Sequence, residues 1–294
     1  MMPSAKWAWP VSFALGAAVV VFGAQPRDFD VARQLEFAPV ESGSQSMRVV
    51  TWNIDHGSNL DTVAAELEKN PAGLYLFQEV DWNAKRSGEK DIAAELAKRL
   101  HLNLAYGIEF EELSQERGEP AYIGQATLTR LPVREARVLR FQKQSTFWKP
   151  HAWLPSSLPL MQRRMGSRIA LVTELEFAGR PLVVYNPHLE SRSAGPIQMA
   201  QLDEMLADLA KYPFGTAAII GGDLNTKYFP SIYLHKLERL GFKSATGKRI
   251  QRTHKIAMSL DWIFARGITV NDGAVRKDVK GSDHYPVYAQ IAAH

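Results

Sequence analysis

Ala217-Ala218-Ile219-Ile220-Gly221-Gly222-Asp223-Leu224-Asn225 is an apolar run that ends on two glycines, a carboxylate and a carboxamide. The residues ahead of the glycines predict a buried strand. The glycines let the backbone turn or approach another group closely. In extended backbone, residues i and i+2 share a side, so Asp223 and Asn225 are expected to project together from a strand end. A carboxylate can hold a cation or orient a water, and a carboxamide can donate to an anionic oxygen. Gly, Asp and Asn are also ordinary turn residues, so other stretches must decide between a solvated turn and a site.

Working outward, the same pattern recurs. The run Met47-Arg48-Val49-Val50-Thr51-Trp52-Asn53-Ile54 predicts a strand with Asn53 near its end. Leu74-Tyr75-Leu76-Phe77-Gln78-Glu79-Val80 predicts a second that turns polar at Glu79. Val183-Val184-Tyr185-Asn186-Pro187 leads to His188, Asp261 opens Trp262-Ile263-Phe264, and Gly281-Ser282-Asp283-His284 opens the last strand. Helical spacing appears at Leu60, Val63, Ala64 and Leu67, at Ile92, Leu96 and Leu100, along residues 197–209, and near 231–240. Further strands are expected over 121–131 and 133–141, joined at Pro132, and in a hairpin of 169–177 and 181–185. Strands and helices alternate early and hairpins dominate later, with no linker inside 47–291. That predicts one α/β domain with a mixed sheet, or two sheets packed face to face.

Ligands are held at strand ends in α/β sheets. If these ends converge, carboxylates, imidazoles and carboxamides share one mouth. Oxygen ligands with water suit a hard divalent cation, most simply Mg²⁺. The chain has no His-Glu-x-x-His, no cysteine, no Gly-x-Ser-x-Gly and no Walker loop, which argues against zinc-protease, serine-hydrolase and nucleotide-hydrolase chemistry. Metal-assisted attack of water on a phosphate ester remains, with a His–Asp pair handling a proton.

The motifs Trp52-Asn53-Ile54, Gln78-Glu79, Asn186-Pro187-His188-Leu189, Gly222-Asp223-Leu224-Asn225, Leu260-Asp261-Trp262-Ile263 and Ser282-Asp283-His284 resemble the endonuclease/exonuclease/phosphatase (deoxyribonuclease-I-like) superfamily, in family order. Gly124-Gln125-Ala126-Thr127-Leu128-Thr129-Arg130 resembles that family's strand before the middle loops. The resemblance implies a four-layered α/β/β/α sandwich, two mixed β-sheets flanked by helices, and a Mg²⁺- or Mn²⁺-dependent phosphoesterase. It implies Glu79 as principal metal ligand, with Asn53 and Asp283 beside it. Asp223 would orient or activate the water, Asn225 would contact the phosphate, and Asp261 would orient His284. Asp223 and His284 both remain candidates for taking the proton. His188 would be a second phosphate-facing imidazole, without an acidic partner identifiable in the sequence. His56, His101, His151, His235, His254 and His294 are read as structural or surface residues.

The 294 residues carry 46% hydrophobic and 22% charged side chains, the profile of a globular protein rather than a disordered one. The net charge of +4 suits a phosphate-bearing partner without demanding one. Residues 1–24 read as a signal peptide or a membrane anchor: residues 7–26 hold no charge and Lys6 precedes them. The expectation is a monomer exported to the periplasm or beyond, or tethered to a membrane. Residues 25–46 read as a linker, and 47–294 as the catalytic domain. The substrate stays open between nucleic acid, a phospholipid such as sphingomyelin, and inositol phosphates, with a non-catalytic binding module as a further alternative. Residues 141–168 interleave Phe147, Trp148 and Trp153 with Lys143, Lys149, Arg163 and Arg164, which suits base stacking, membrane docking or plain packing.

Overall fold

The computed structural model describes residues 28–148 and 163–293. The chain begins with β1 (Arg33–Leu35), β2 (Ser46–His56), α1 (Leu60–Lys69), β3 (Leu74–Trp82) and α2 (Ile92–Leu100). It continues through β4 (Asn103–Glu111), β5 (Tyr122–Thr129), β6 (Val133–Arg140), β7 (Met165–Gly166), β8 (Ile169–Phe177) and β9 (Arg180–Pro187). Then follow α3 (Pro196–Leu209), β10 (Ala217–Asp223), α4 (Pro230–Arg239), β11 (Lys243–Ser244), β12 (Asp261–Arg266), β13 (Thr269–Val275) and β14 (Val287–Ala292).

Two sheets result. The eight-stranded sheet runs β1-β4-β5-β3-β2-β14-β13, with β7 also on β4, and the six-stranded sheet runs β11-β12-β10-β9-β8-β6. The β2–β3 and β9–β10 pairs are parallel and the other neighbours antiparallel. Both sheets are therefore mixed.

Alternation along the strands sorts side chains into layers. On β2, Val50, Trp52 and Ile54 pack under α1 and α2, whose buried faces carry Val63, Ala64, Leu67, Ile92 and Leu96. The opposite face of β2 sends Met47 and Val49 into an apolar layer between the sheets, where Leu76, Val184, Ile219 and Ile263 meet them. On β10, Ala218 and Ile220 point the other way, toward Leu202 and Met205 of α3 and Leu234 and Leu237 of α4. The order is helices, sheet, sheet, helices, as the family resemblance implies.

The inter-sheet layer changes character along its length. Past Leu76 and Val184 the inward positions become Gln78 and Asn186. Gln78 Nε2 donates to Asn186 Oδ1 at 2.7 Å, and Asn186 Nδ2 donates to the carbonyls of Phe77 (3.2 Å) and Ala126 (3.0 Å). One carboxamide thus satisfies backbone groups of the facing sheet. Gly221 and Gly222 lie within β10, not in a turn. A Cβ on Gly221 would stand 2.5 Å from Leu76 Cδ1, and one on Gly222 would stand 2.2 Å from the Pro187 carbonyl oxygen. Close approach is what these glycines allow.

Several expectations are corrected. The stretch 25–46 is not merely a linker, because β1 pairs with β4. Arg33 anchors it, with its guanidinium 4.2 Å from the Trp82 ring centroid and 2.6 Å from Asp91. The two strands joined at Pro132 form as expected, one in each sheet. β4 was not expected at all. Leu104, Tyr106, Ile108 and Phe110 alternate along it with small or acidic residues, and it is buried throughout, so that Glu109 and Glu111 lie inside the fold instead of on a solvated face. The expected signal or anchor at 1–24 lies outside the described residues, as do Lys149, His151, Trp153 and His294. Among the described residues no helix is long and apolar enough to cross a membrane.

Asn186→Ala is expected to destabilise the fold by about 2–4 kcal/mol, since it strips partners from buried polar groups. Urea denaturation measures this, and a loss under about 1 kcal/mol would show the tie to be dispensable.

Candidate active site

The eight candidate residues come from six chain segments and gather where the inter-sheet layer opens. Asn53 ends the inward face of β2 and Asp223 that of β10, and Asn53 Nδ2 donates to Asp223 Oδ2 at 3.2 Å, from one sheet to the other. Glu79 is aimed differently. It sits at a bulge, where the pairing of β3 with β5 shifts between Phe77 and Val80, and its φ of 51° is left-handed. Such backbone costs a non-glycine residue about 1–2 kcal/mol and is characteristic of functional positions. Burial alone would raise the Glu79 carboxyl. The facing His188, His56 and His284 rings and a hydrogen bond from Asn53 outweigh burial and hold it well below the usual carboxylate range.

Two histidines converge on Asp223. His284 Nδ1 donates to Asp261 Oδ2 at 2.9 Å, leaving Nε2 3.9 Å from Asp223 Oδ2. His188 Nδ1 lies 3.1 Å from Glu109 Oε2, with Nε2 3.6 Å from the same Asp223 oxygen and 3.7 Å from Glu79 Oε1. Each ring has a carboxylate on one side and its other nitrogen toward a common point, and at His188 the Arg168 Nη1 also stands 2.9 Å from Nδ1 and 3.0 Å from Nε2. Glu109 is the partner of His188 that sequence alone did not supply. It rides on β4, the unexpected strand. Arg168 backs the pair: Nη1 bonds Glu109 Oε1 at 2.5 Å and Nη2 donates to Ser191 Oγ at 2.9 Å. Burial opposes a charged Glu109, but Arg168 and His188 outweigh it and lower its pKa.

The remaining segments hold this geometry. Ser282 donates to the Asn53 carbonyl at 2.7 Å and accepts from the His284 backbone N–H at 3.0 Å. Trp52 Nε1 donates to the His284 carbonyl at 3.0 Å. The Ser-Asp-His turn is thereby pinned to the end of β2. Asn225 lies past the strand end, with a left-handed φ of 48° instead of extended backbone. Its N–H donates to Asp223 Oδ1 (2.9 Å) and its Nδ2 to the Leu189 carbonyl (2.9 Å). Asp223 and Asn225 do meet, through a turn and not through strand alternation. Asp283 is about half exposed and takes a contact of 3.2 Å from His254 Nε2. It forms a tight group with His254 and His284.

Two histidines read as ordinary belong here. His254 packs edge-on to His284 at 4.6 Å. His56 points Nδ1 at Glu79 Oε2 from 3.6 Å. Beyond Asn225 the rim is basic and aromatic. Lys227 Nζ donates to the Ser191 carbonyl at 2.8 Å, Tyr228 and Phe229 are exposed, and the Arg192 guanidinium stands 4.2 Å from the Phe147 ring centroid.

The sequence matches the Endonuclease/Exonuclease/phosphatase family over residues 50–284. No curated protein matches it. Among solved structures, an endonuclease/exonuclease/phosphatase from Beutenbergia cavernae superposes with a TM-score of 0.60 at 18% identity, covering 85% of this chain and 72% of that one. A functionally unknown conserved protein from Enterococcus faecalis gives 0.60 at 18% identity, covering 84% of this chain and 100% of that one. Truncated TDP2 from Caenorhabditis elegans gives 0.52 at 21% identity, covering 84% and 98%. At these identities the likeness concerns the fold.

Burial disfavours an imidazolium at His284, yet the bonded Asp261 carboxylate, with Asp223 and Asp283 nearby, pushes its pKa up to about 10 from an ordinary 6.5. A raised folded value means that the pair's stabilisation is complete below pH 6.5 and is lost as pH rises through about 10. In metal-free protein the His284 ring C–H resonances are expected to stay flat between about pH 5 and 8 by NMR. A midpoint near 6.5 would contradict the pairing described.

Proposed function

The chain belongs to the endonuclease/exonuclease/phosphatase family, and from that premise we propose that it is an exported, divalent-metal-dependent phosphodiesterase acting on a nucleic-acid strand. Membership supports phosphoester chemistry in general. The finer reading is carried by one observation: His188 Nε2 and His284 Nε2 lie 3.6 and 3.9 Å from a single Asp223 oxygen. A phosphate between two such rings meets a donor on each side, with a carboxylate behind it.

In this reading the Asp223 carboxylate receives a proton from water as the water oxygen bonds to phosphorus. The protonated His284 donates to a phosphate oxygen, and the proton needed by the departing alkoxide comes from that side as the P–O bond breaks. His188, held by Glu109, and the Arg168 guanidinium beside it face another non-bridging oxygen. Asn225 steadies Asp223 and borders the phosphate. Pre-oriented donors of this kind lower the barrier because they need not reorganise as charge develops. The donor set suits a divalent cation: Glu79 is charged and faces the mouth, with Asn53 beside it, and these two would hold it. When bound, the cation would neutralise charge on the phosphate.

The choice of a nucleic-acid strand rests on the rim. Phe147 is capped by Arg192, and Tyr228 and Phe229 are exposed directly after Asn225 and Lys227. Aromatics interleaved with cations suit stacked bases and their phosphates. Export rests on the uncharged residues 7–26 alone.

Hydrolysis of bis-p-nitrophenyl phosphate with Mn²⁺ or Mg²⁺, abolished by chelator, is the expected result. Glu79→Ala and His284→Ala should each lower kcat by at least about 100-fold with the fold retained by circular dichroism, and His284→Ala should also melt earlier because Asp261 loses its partner. A folded sample inert with every metal would favour the binding-module alternative. Single-stranded oligonucleotides should be cut faster than sphingomyelin liposomes are hydrolysed, and the reverse order would move the substrate to lipid.

A further inference from the structure

We propose that a second ligand site, away from the mouth, lies between the ends of α1 and α2 and the starts of β2 and β3, and that it takes an amphipathic monoanion: an apolar body carrying one anionic head. A cavity of about 410 Å³ opens there, within the roughly 300–1,000 Å³ typical of small-molecule sites. Its floor is apolar and includes Met47, Leu67, Leu102 and Leu131, all of them buried. Met47 and Tyr75 stand at the beginnings of β2 and β3, while Asn53 and Glu79 lie toward the other ends of the same strands. At about 3.3 Å per residue, four to six residues of strand put roughly 13–20 Å between the two places. The cavity is therefore not part of the mouth.

Tyr75 is the buried polar group of the cavity wall. Its hydroxyl accepts the Ala72 N–H at 2.7 Å, and its own proton has no acceptor among the described residues. A buried donor without an acceptor is unusual and asks for a partner. Two cations bear on the same hydroxyl. Burial pushes the Tyr75 phenol up, and the Ala72 bond and the Arg48 and Arg130 charges work against that rise. Arg48 meets no carboxylate among the described residues, and its one bond, to the Pro71 carbonyl, is long at 3.4 Å. An anionic head placed here would accept from Tyr75 and face both guanidiniums.

The charges of the rim fix the class of ligand. Arg99 holds Asp61 at 2.7 Å and Glu68 at 3.2 Å. Arg130 holds Glu41 at 3.0 Å through Nη1 and the His101 carbonyl at 2.9 Å through Nε. These pairs are largely exposed, and such pairs contribute little, so a ligand's head can take their place. The cavity is lined by three arginines, Arg48, Arg99 and Arg130, against two glutamates, Glu41 and Glu68. Three minus two leaves one positive charge, the complement of a single anionic head. The apolar floor is the complement of a tail. A polyphosphate would bring more charge than this rim balances and nothing to cover the floor.

The test uses the full protein with decanoate as the probe, and with decanol (tail without charge) and acetate (head without tail) as controls. Calorimetric titration should show one saturating decanoate per chain with a Kd below about 1 mM, and decanol and acetate should each bind at least about tenfold more weakly. Arg48→Gln and Tyr75→Phe should each weaken decanoate about tenfold. Arg48 is exposed, so its variant keeps the fold even if Tyr75→Phe melts early. Nuclear Overhauser contacts from the decanoate methylenes to the Leu131 methyls should place the tail. No saturable binding, decanol bound as tightly as decanoate, or an unchanged decanoate affinity in Arg48→Gln would overturn the site. The titration reads binding alone, so its outcome stands whether or not the protein cleaves phosphodiesters.

Discussion

The hydrogen bond from Gln78 to Asn186, 2.7 Å long, sets the relation between the two sheets. It joins the inward faces of β3 in one sheet and β9 in the other, one step beyond the apolar residues that hold the sheets together. On the apolar side, packing is non-directional and would tolerate small slides. On the polar side, each carboxamide must meet specific partners or leave a buried group unsatisfied. The tie therefore converts a hydrophobic contact into a fixed register. Everything at the mouth inherits that register. Asn53 comes from one sheet and Asp223 from the other, and they meet only because the sheets cannot slip.

The site concentrates buried charge, and pairing is what makes that tolerable. An isolated carboxylate or imidazolium inside a protein is costly. Here Asp261 faces His284, Glu109 faces both His188 and Arg168, and Asp223 accepts from Asn53 and from the Asn225 backbone. Each of these side chains is oriented by a hydrogen-bonding neighbour inside the site. The left-handed backbone at Asp55, His56, Glu79 and Asn225 is concentrated at the same mouth, where a regular strand would aim the side chains elsewhere.

How much was legible follows from how local each signal is. Leu74-Tyr75-Leu76-Phe77 reads as strand because every residue in it favours one, and Gln78-Glu79 marks where the environment changes. β4 escaped although Leu104, Tyr106, Ile108 and Phe110 alternate along it, because the small and acidic residues between them read as a solvated face, and only the fold shows that face to be buried. Glu109 escaped with it, and so did the pairing of His188. β1 was obscured by proline and glycine around it. Its place depends on Arg33 finding Trp82 and Asp91, which are far along the chain. His56 looked like a turn residue beside Gly57, and a turn it is. Nothing local says that the turn faces Glu79.

By itself the sequence determined the α/β character, the strand ends with their polar residues, and the family to which their order belongs. Those properties reside in period, composition and spacing, which neighbouring residues carry. Tertiary structure alone decided which strands share a sheet, that Asn225 reaches Asp223 through a turn, and that Glu109, Arg168 and His56 join the mouth. Those are contacts between distant segments. They arise from sheet register and from the need of buried charges for partners, and neither is written in any single stretch of chain.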